Sequence, residues 1–114
     1  MTAAQAALAD RLRRLLADEP VLREVAMFGG RAFVVNGKLA VSALKDGGLL
    51  VRVPVDQHDE LLGRPGSVQA RMGAGRDMGS GWIEVVASAV ADDEGLASWV
   101  GIAMAYNRLV TGGA

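Results

Sequence analysis

Hydrophobic and polar positions along the chain change period several times, and each change marks an element. From about Ala3 to Ala17 the larger apolar residues fall at Leu8, Leu12, Leu15 and Leu16, while Asp10, Arg11, Arg13 and Arg14 fill most of the positions between. This is the stripe of a surface helix. Thr2 and Gln5 stand at capping-box spacing before it, and Pro20 ends it. Next comes MFGGRAFVVNGKLAVSAL, residues 27–44, in which β-prone segments flank Asn36-Gly37. Both turn residues tolerate positive φ, as a two-residue type I′ hairpin requires. The turn predicts the pairs Val35 with Lys38, Val34 with Leu39, Phe33 with Ala40, Ala32 with Val41 and Arg31 with Ser42. Lys45-Asp46-Gly47-Gly48 reads as a second turn into a third antiparallel strand, LLVRV at 49–53.

Asp56 fits an N-cap for a short helix ending at Leu62, with Gly63 and Pro65 closing it. SVQARM (67–72) and GWIEVVAS (81–88) alternate as strands, joined by the glycine-rich loop GAGRDMGS, which is expected to be a long, mobile tip. Asp92 or Asp93 starts a last helix to about Val110, with Leu96, Trp99, Val100, Ala103 and Val110 on one stripe. The order is α-β-β-β-α-β-β-α. Hairpins join the strands, which excludes a doubly wound parallel sheet and predicts an α+β, two-layer α/β sandwich with a mainly antiparallel sheet.

Strand alternation then sorts the side chains. Ala32, Val34, Leu39, Val41, Leu49, Val51, Val53, Val68, Ala70, Met72, Ile83 and Val85 should face the helices. The opposite face should carry Arg31, Phe33, Ser42, Leu50, Arg52, Gln69, Arg71, Trp82, Glu84 and Val86. Within it Arg31, Phe33, Arg52, Arg71 and Trp82 form a candidate interaction face offering charge, cation–π stacking and apolar area. Protein interfaces and single-strand nucleic-acid readers both use that combination. The structural alternative is an ordinary amphipathic face whose arginines pair with Glu84.

Composition narrows the field. The 114 residues suit one domain, 1–114, and 51% apolar against 22% charged residues describes a folded chain. Twelve basic against thirteen acidic residues leave a net charge of -1, which does not favour nucleic acid as a general partner. The absence of cysteine excludes disulfides and thiolate chemistry and, with no signal-type leader or membrane span in the sequence, leads to the expectation of a cytoplasmic protein without membrane association. The single histidine, His58, sits in a polar helical turn where solvent exposure is expected; with no partners in view it makes neither a metal site nor a triad. Gly73-Ala74-Gly75-Arg76-Asp77-Met78 breaks the dinucleotide fingerprint at its last position, and Gly37-Lys38 lacks the rest of a P-loop. No catalytic residue, cofactor site or metal site is therefore assigned. Gly29-Gly30 remains a motif of unknown role, a bend or a close backbone approach.

MFGGRAFVVNGKLAVSA, LLVRV, DQHDELLGRPG, RDMGSGWIEV and LASWVGIAMAYNRL, in this order from about Leu8 to Leu109, resemble the TfoX N-terminal domain family. Met27-Phe28-Gly29-Gly30 is the most specific piece, supported by Met78 and Gly81-Trp82. The resemblance implies a secretion-chaperone-like α-β3-α-β2-α arrangement. The family's namesake, TfoX or Sxy, regulates natural competence together with the cyclic-AMP receptor protein and has a second domain; this chain is expected to be a single-domain member. The family supplies no catalytic residues or cofactor. The expectation is a non-enzymatic regulatory or protein-interaction module whose partner is itself, as a homodimer, or another regulatory protein. The alternatives are a nucleic-acid-binding accessory protein and a small enzyme with the loop around Arg76 and Asp77 as a lid.

Overall fold

The computed structural model describes residues 1–27, 29–73 and 75–113. Phe28 and Ala74, which belong to the double-glycine and glycine-loop readings, lie outside the described residues. In chain order the elements are α1 (Ala3–Leu15), β1 (Leu22–Met27), β2 (Gly30–Val35), β3 (Lys38–Ala43), β4 (Leu49–Arg52), α2 (His58–Leu62), β5 (Ser67–Gln69), β6 (Arg71–Met72), β7 (Arg76–Asp77), β8 (Trp82–Val85) and α3 (Asp93–Thr111). Short 3-10 turns precede α2 and α3. Six strands form one antiparallel sheet in the order β1-β2-β3-β4-β8-β5, and β6-β7 make a separate small hairpin.

Local chemistry explains the helix ends. Thr2 Oγ1 accepts from the Gln5 amide at 3.1 Å, and Asp92 accepts from the Gly95 amide at 3.3 Å. α3 stops at Gly112, whose φ of 68° provides the left-handed cap. Asp56 lies within the 3-10 turn and makes no side-chain cap bond to α2. Leu8, Leu12 and Leu16 bury against the sheet as expected, but Leu15 is exposed. On α3 the buried stripe continues through Met104 and Asn107, not Val110.

Two findings correct the sequence reading of the sheet. First, Leu22–Met27 is a strand, paired antiparallel with β2, so four strands and not three precede α2. Second, the hairpin keeps its expected register only next to the turn. Val35 pairs with Lys38 and Val34 with Leu39, but Phe33 then pairs with Val41, Ala32 with Ser42 and Arg31 with Ala43. Ala40 is the extra residue of a β-bulge, and because side chains alternate, one inserted residue exchanges the two faces beyond it.

The core lies between the sheet and the helices. Phe33, Val35, Val41, Ala43, Leu49, Val51, Ile83 and Val85 pack there with Leu8, Leu12, Leu96, Trp99 and Val100. Buried polar groups tie the layers together. Gln5 Nε2 donates to the carbonyls of Ala43 at 2.9 Å and Gly29 at 3.2 Å. Asn107 Nδ2 donates to the Val35 carbonyl at 2.9 Å, and its Oδ1 accepts from Asn36. Each fills a backbone or side-chain partner that would otherwise be buried unpaired.

Candidate interaction face

The three helices bury their apolar side chains against one side of the sheet, and among the described residues helix meets the other side where Tyr106 of α3 approaches Arg52. The strand pairings run a continuous row across this other side, Val25, Ala32, Ser42, Leu50, Glu84 and Val68. Its centre is tightly packed: Ala32, Val34, Ser42 and Leu50 are all buried. Met27, Val68 and Val86 are exposed, which leaves apolar surface at both ends of the row. A second row brings Arg52 opposite Trp82.

Arg52 and Trp82 form the best-built part of this face. The guanidinium stacks on the Trp82 ring at 4.6 Å and also approaches Tyr106 of α3 at 5.8 Å. Its Nε is buried without a hydrogen-bond partner. Glu84, two residues beyond Trp82, has no cationic partner among the described residues. Burial, followed by the nearby Asp46 charge, pushes its carboxyl above the usual range. The face therefore carries a guanidinium stacked on Trp82 with a buried, unbonded Nε and, two residues further along β8, a carboxylate with no cationic partner among the described residues. The pairing of arginines with Glu84 is not found.

The other candidates lie elsewhere. Phe33 is fully buried on the helix side, because the Ala40 bulge inverts its position. Arg31 shares that side, where its Nε meets Glu24 Oε2 at 2.6 Å. Glu24 also takes two bonds from Arg13, at 2.6 and 2.7 Å. The hydrogen bonds from Arg13, then those from Arg31, hold the Glu24 carboxyl down at about 2 despite partial burial. Arg71 belongs to the β6-β7 hairpin, where it donates to the Gly75 carbonyl, and Gln69 faces the helices. Of the five residues assigned to the face, Arg52 and Trp82 come together. Glu84 and Tyr106 complete that cluster; Tyr106 sits off the expected stripe of α3 and gave no sequence signal.

Gly29 and Gly30 have structural reasons. Gly29 has φ of 76°, and its carbonyl takes the bond from Gln5. A Cβ on Gly30 would overlap Ser42 Oγ. Gly29 and Gly30 thus lie where β2 begins, and the bond from Gln5 pins Gly29 to α1.

His58, expected in solvent, is buried. Its Nδ1 accepts from the Gly81 amide at 2.8 Å, which leaves the proton on Nε2 to donate to Gln69 Oε1 at 2.7 Å. Gln69 Nε2 in turn donates to the Gly79 carbonyl at 3.0 Å. This chain of bonds fixes the base of the glycine-rich loop, and its polar groups satisfy one another. Among the described residues no three His, Asp or Glu side chains converge as a metal ion requires, and no helix is long and apolar enough to cross a membrane.

An antiparallel sheet with helices on one side, and a stacked arginine on the other, defines a two-layer α+β domain with a bare sheet face. The chain belongs to the TfoX N-terminal domain family, whose model matches residues 14–106. No curated protein and no solved structure matches it.

Proposed function

We propose that this chain is a non-enzymatic protein-interaction module, with a regulatory role, that receives a partner on the uncovered face of its sheet. The observation that carries this reading is the Arg52–Trp82 stack on the same sheet face as Glu84, which has no cationic partner among the described residues and is flanked by exposed Val68 and Val86. Such a surface fits a partner that brings apolar side chains, a carboxylate for Arg52 and a cation for Glu84. Partly desolvated charges gain most from a partner that completes them, and an arginine with an aromatic is a common anchor at interfaces. Burial of Phe33 and the Arg31–Glu24 pair take away two members of the expected base-stacking platform, which weighs against nucleic acid.

Pull-down from native lysate, with and without nuclease, tests the proposal using the intact chain, Val68→Asp and Trp82→Ala. The expected result is a nuclease-resistant protein partner captured by the intact chain and lost with both variants. Capture that nuclease abolishes, or that neither substitution changes, overturns it.

A further inference from the structure

β1 ends the sheet, and its outer edge is open. The Asn36 amide donates to the Val21 carbonyl at 2.9 Å, which fixes the phase of the β1-β2 ladder. In an antiparallel pair alternate residues bond inward, so Val21, Arg23, Val25 and Met27 bond to β2. Leu22, Glu24 and Ala26 therefore direct their N–H and C=O groups away from the sheet, and these groups have no partner among the described residues. Edge strands are commonly blunted by proline, a bulge or a covering element. β1 has no proline, pairs with β2 without a register shift, and α1 packs over β2 and β3. Its one carboxylate, Glu24, is already neutralised within the protomer by Arg13 and Arg31.

We propose that β1 pairs antiparallel with β1 of a second copy about a twofold axis at Val25, joining two sheets edge to edge. This rests on the interaction-module reading and names the chain's own copy as a partner. Charge selects the register. An axis at Arg23 sets that arginine against itself, and an axis at Glu24 sets the carboxylate against itself, a destabilising arrangement even with two more backbone bonds. With the axis at Val25, Glu24 faces the partner's Ala26, Arg23 lays its stem along the partner's Met27, and the two Val25 side chains meet. Glu24 and Ala26 then exchange four backbone hydrogen bonds with the partner. The axis stands perpendicular to the sheet, so both uncovered faces point the same way and form one continuous surface of twice the width. A protein docking there meets two copies of the Arg52–Trp82 stack.

The natural absence of cysteine makes the register directly readable. Single cysteines at positions 23, 24 and 25 are oxidised mildly and run on a non-reducing gel. In the proposed dimer the two copies of position 25 form a non-hydrogen-bonded pair about 4.5 Å apart, within disulfide reach. Copies of position 24 are about 8 Å apart and those of 23 further still. Val25→Cys is expected to give a reducible dimer band, with Glu24→Cys and Arg23→Cys remaining monomeric. Light scattering of the intact chain is expected to rise with concentration to twice the monomer mass. Ala26→Pro removes an outward N–H without touching the bonds to β2, so it should stay folded by circular dichroism and remain a monomer. A monomer mass at every concentration, or a disulfide at 24 or 23 in place of 25, overturns the proposal. Capture of a protein partner by the monomeric Ala26→Pro variant would sink dimerisation as a requirement while leaving the module reading intact.

Discussion

Phe33→Ala separates the observed hairpin register from the one that its turn alone predicts. In an unbroken hairpin Phe33 would sit on the bare face, and truncating it would change stability by about 0.5 kcal/mol or less. In the structure it is fully buried, opposite Val41 and inside the main core cluster. Truncating a buried phenylalanine costs about 3–5 kcal/mol, a large part of the roughly 5–15 kcal/mol that holds a domain of this size. At about 4 °C per kcal/mol the melting temperature should fall by about 12–20 °C. Urea unfolding followed by circular dichroism and by fluorescence of Trp82 and Trp99 gives the free energy directly. Trp82→Ala is the internal comparison; its half-buried ring should cost less than Phe33 does. A loss below about 1 kcal/mol for Phe33→Ala, with a larger one for Trp82→Ala, would refute the bulge at Ala40 and restore the unbroken pairing.

Acid titration of stability probes the Glu24 cluster. The carboxyl is held at about 2 against an ordinary 4.5, so the unfolded chain takes up the proton first, and acidification between those values removes the stabilisation. Because Arg13 is partly exposed, we expect Glu24→Gln to cost about 1–2 kcal/mol at pH 7 and almost nothing near pH 2, after discounting for screening. A pH-independent difference would refute this pairing. His58→Leu leaves the Gly81 amide and Gln69 Oε1 unpaired in a buried site, and should cost about 2–4 kcal/mol in urea unfolding with faster exchange of the Gly81 amide; a neutral substitution would show that the ring is solvated after all.

Elements set by local chemistry were legible in the sequence. The Thr2 and Asp92 caps, the Asn36-Gly37 turn and the last helix depend on near neighbours, and the family resemblance agreed with the α+β order they imply. The bulge was not legible because FVV and LAV are each apolar at three consecutive positions, so neither phase of alternation is marked. A large aromatic beside Ala32 was the one available sign that Phe33 belonged inside. LREVAM does not alternate, and as an edge strand it draws its stability from β2, so β1 left no pattern of its own. His58 was misplaced because its partners, Gly81 and Gln69, come from distant segments. The candidate face kept Arg52 and Trp82 because β4 and β8 pair without interruption.

The clasp between Asn107 and the first hairpin also constrains when this protein can finish folding. Val35 leaves the ribosome 72 residues before the side chain that satisfies its carbonyl. Until then the tip of the hairpin has a bare buried acceptor, and α3 cannot yet cover β3 and β4. Sequence-distant contacts of this kind slow folding, because the chain closes a long loop before any reward is collected. During synthesis the sheet must therefore wait, with its future core face open to solvent and to chaperones, until the last helix has emerged.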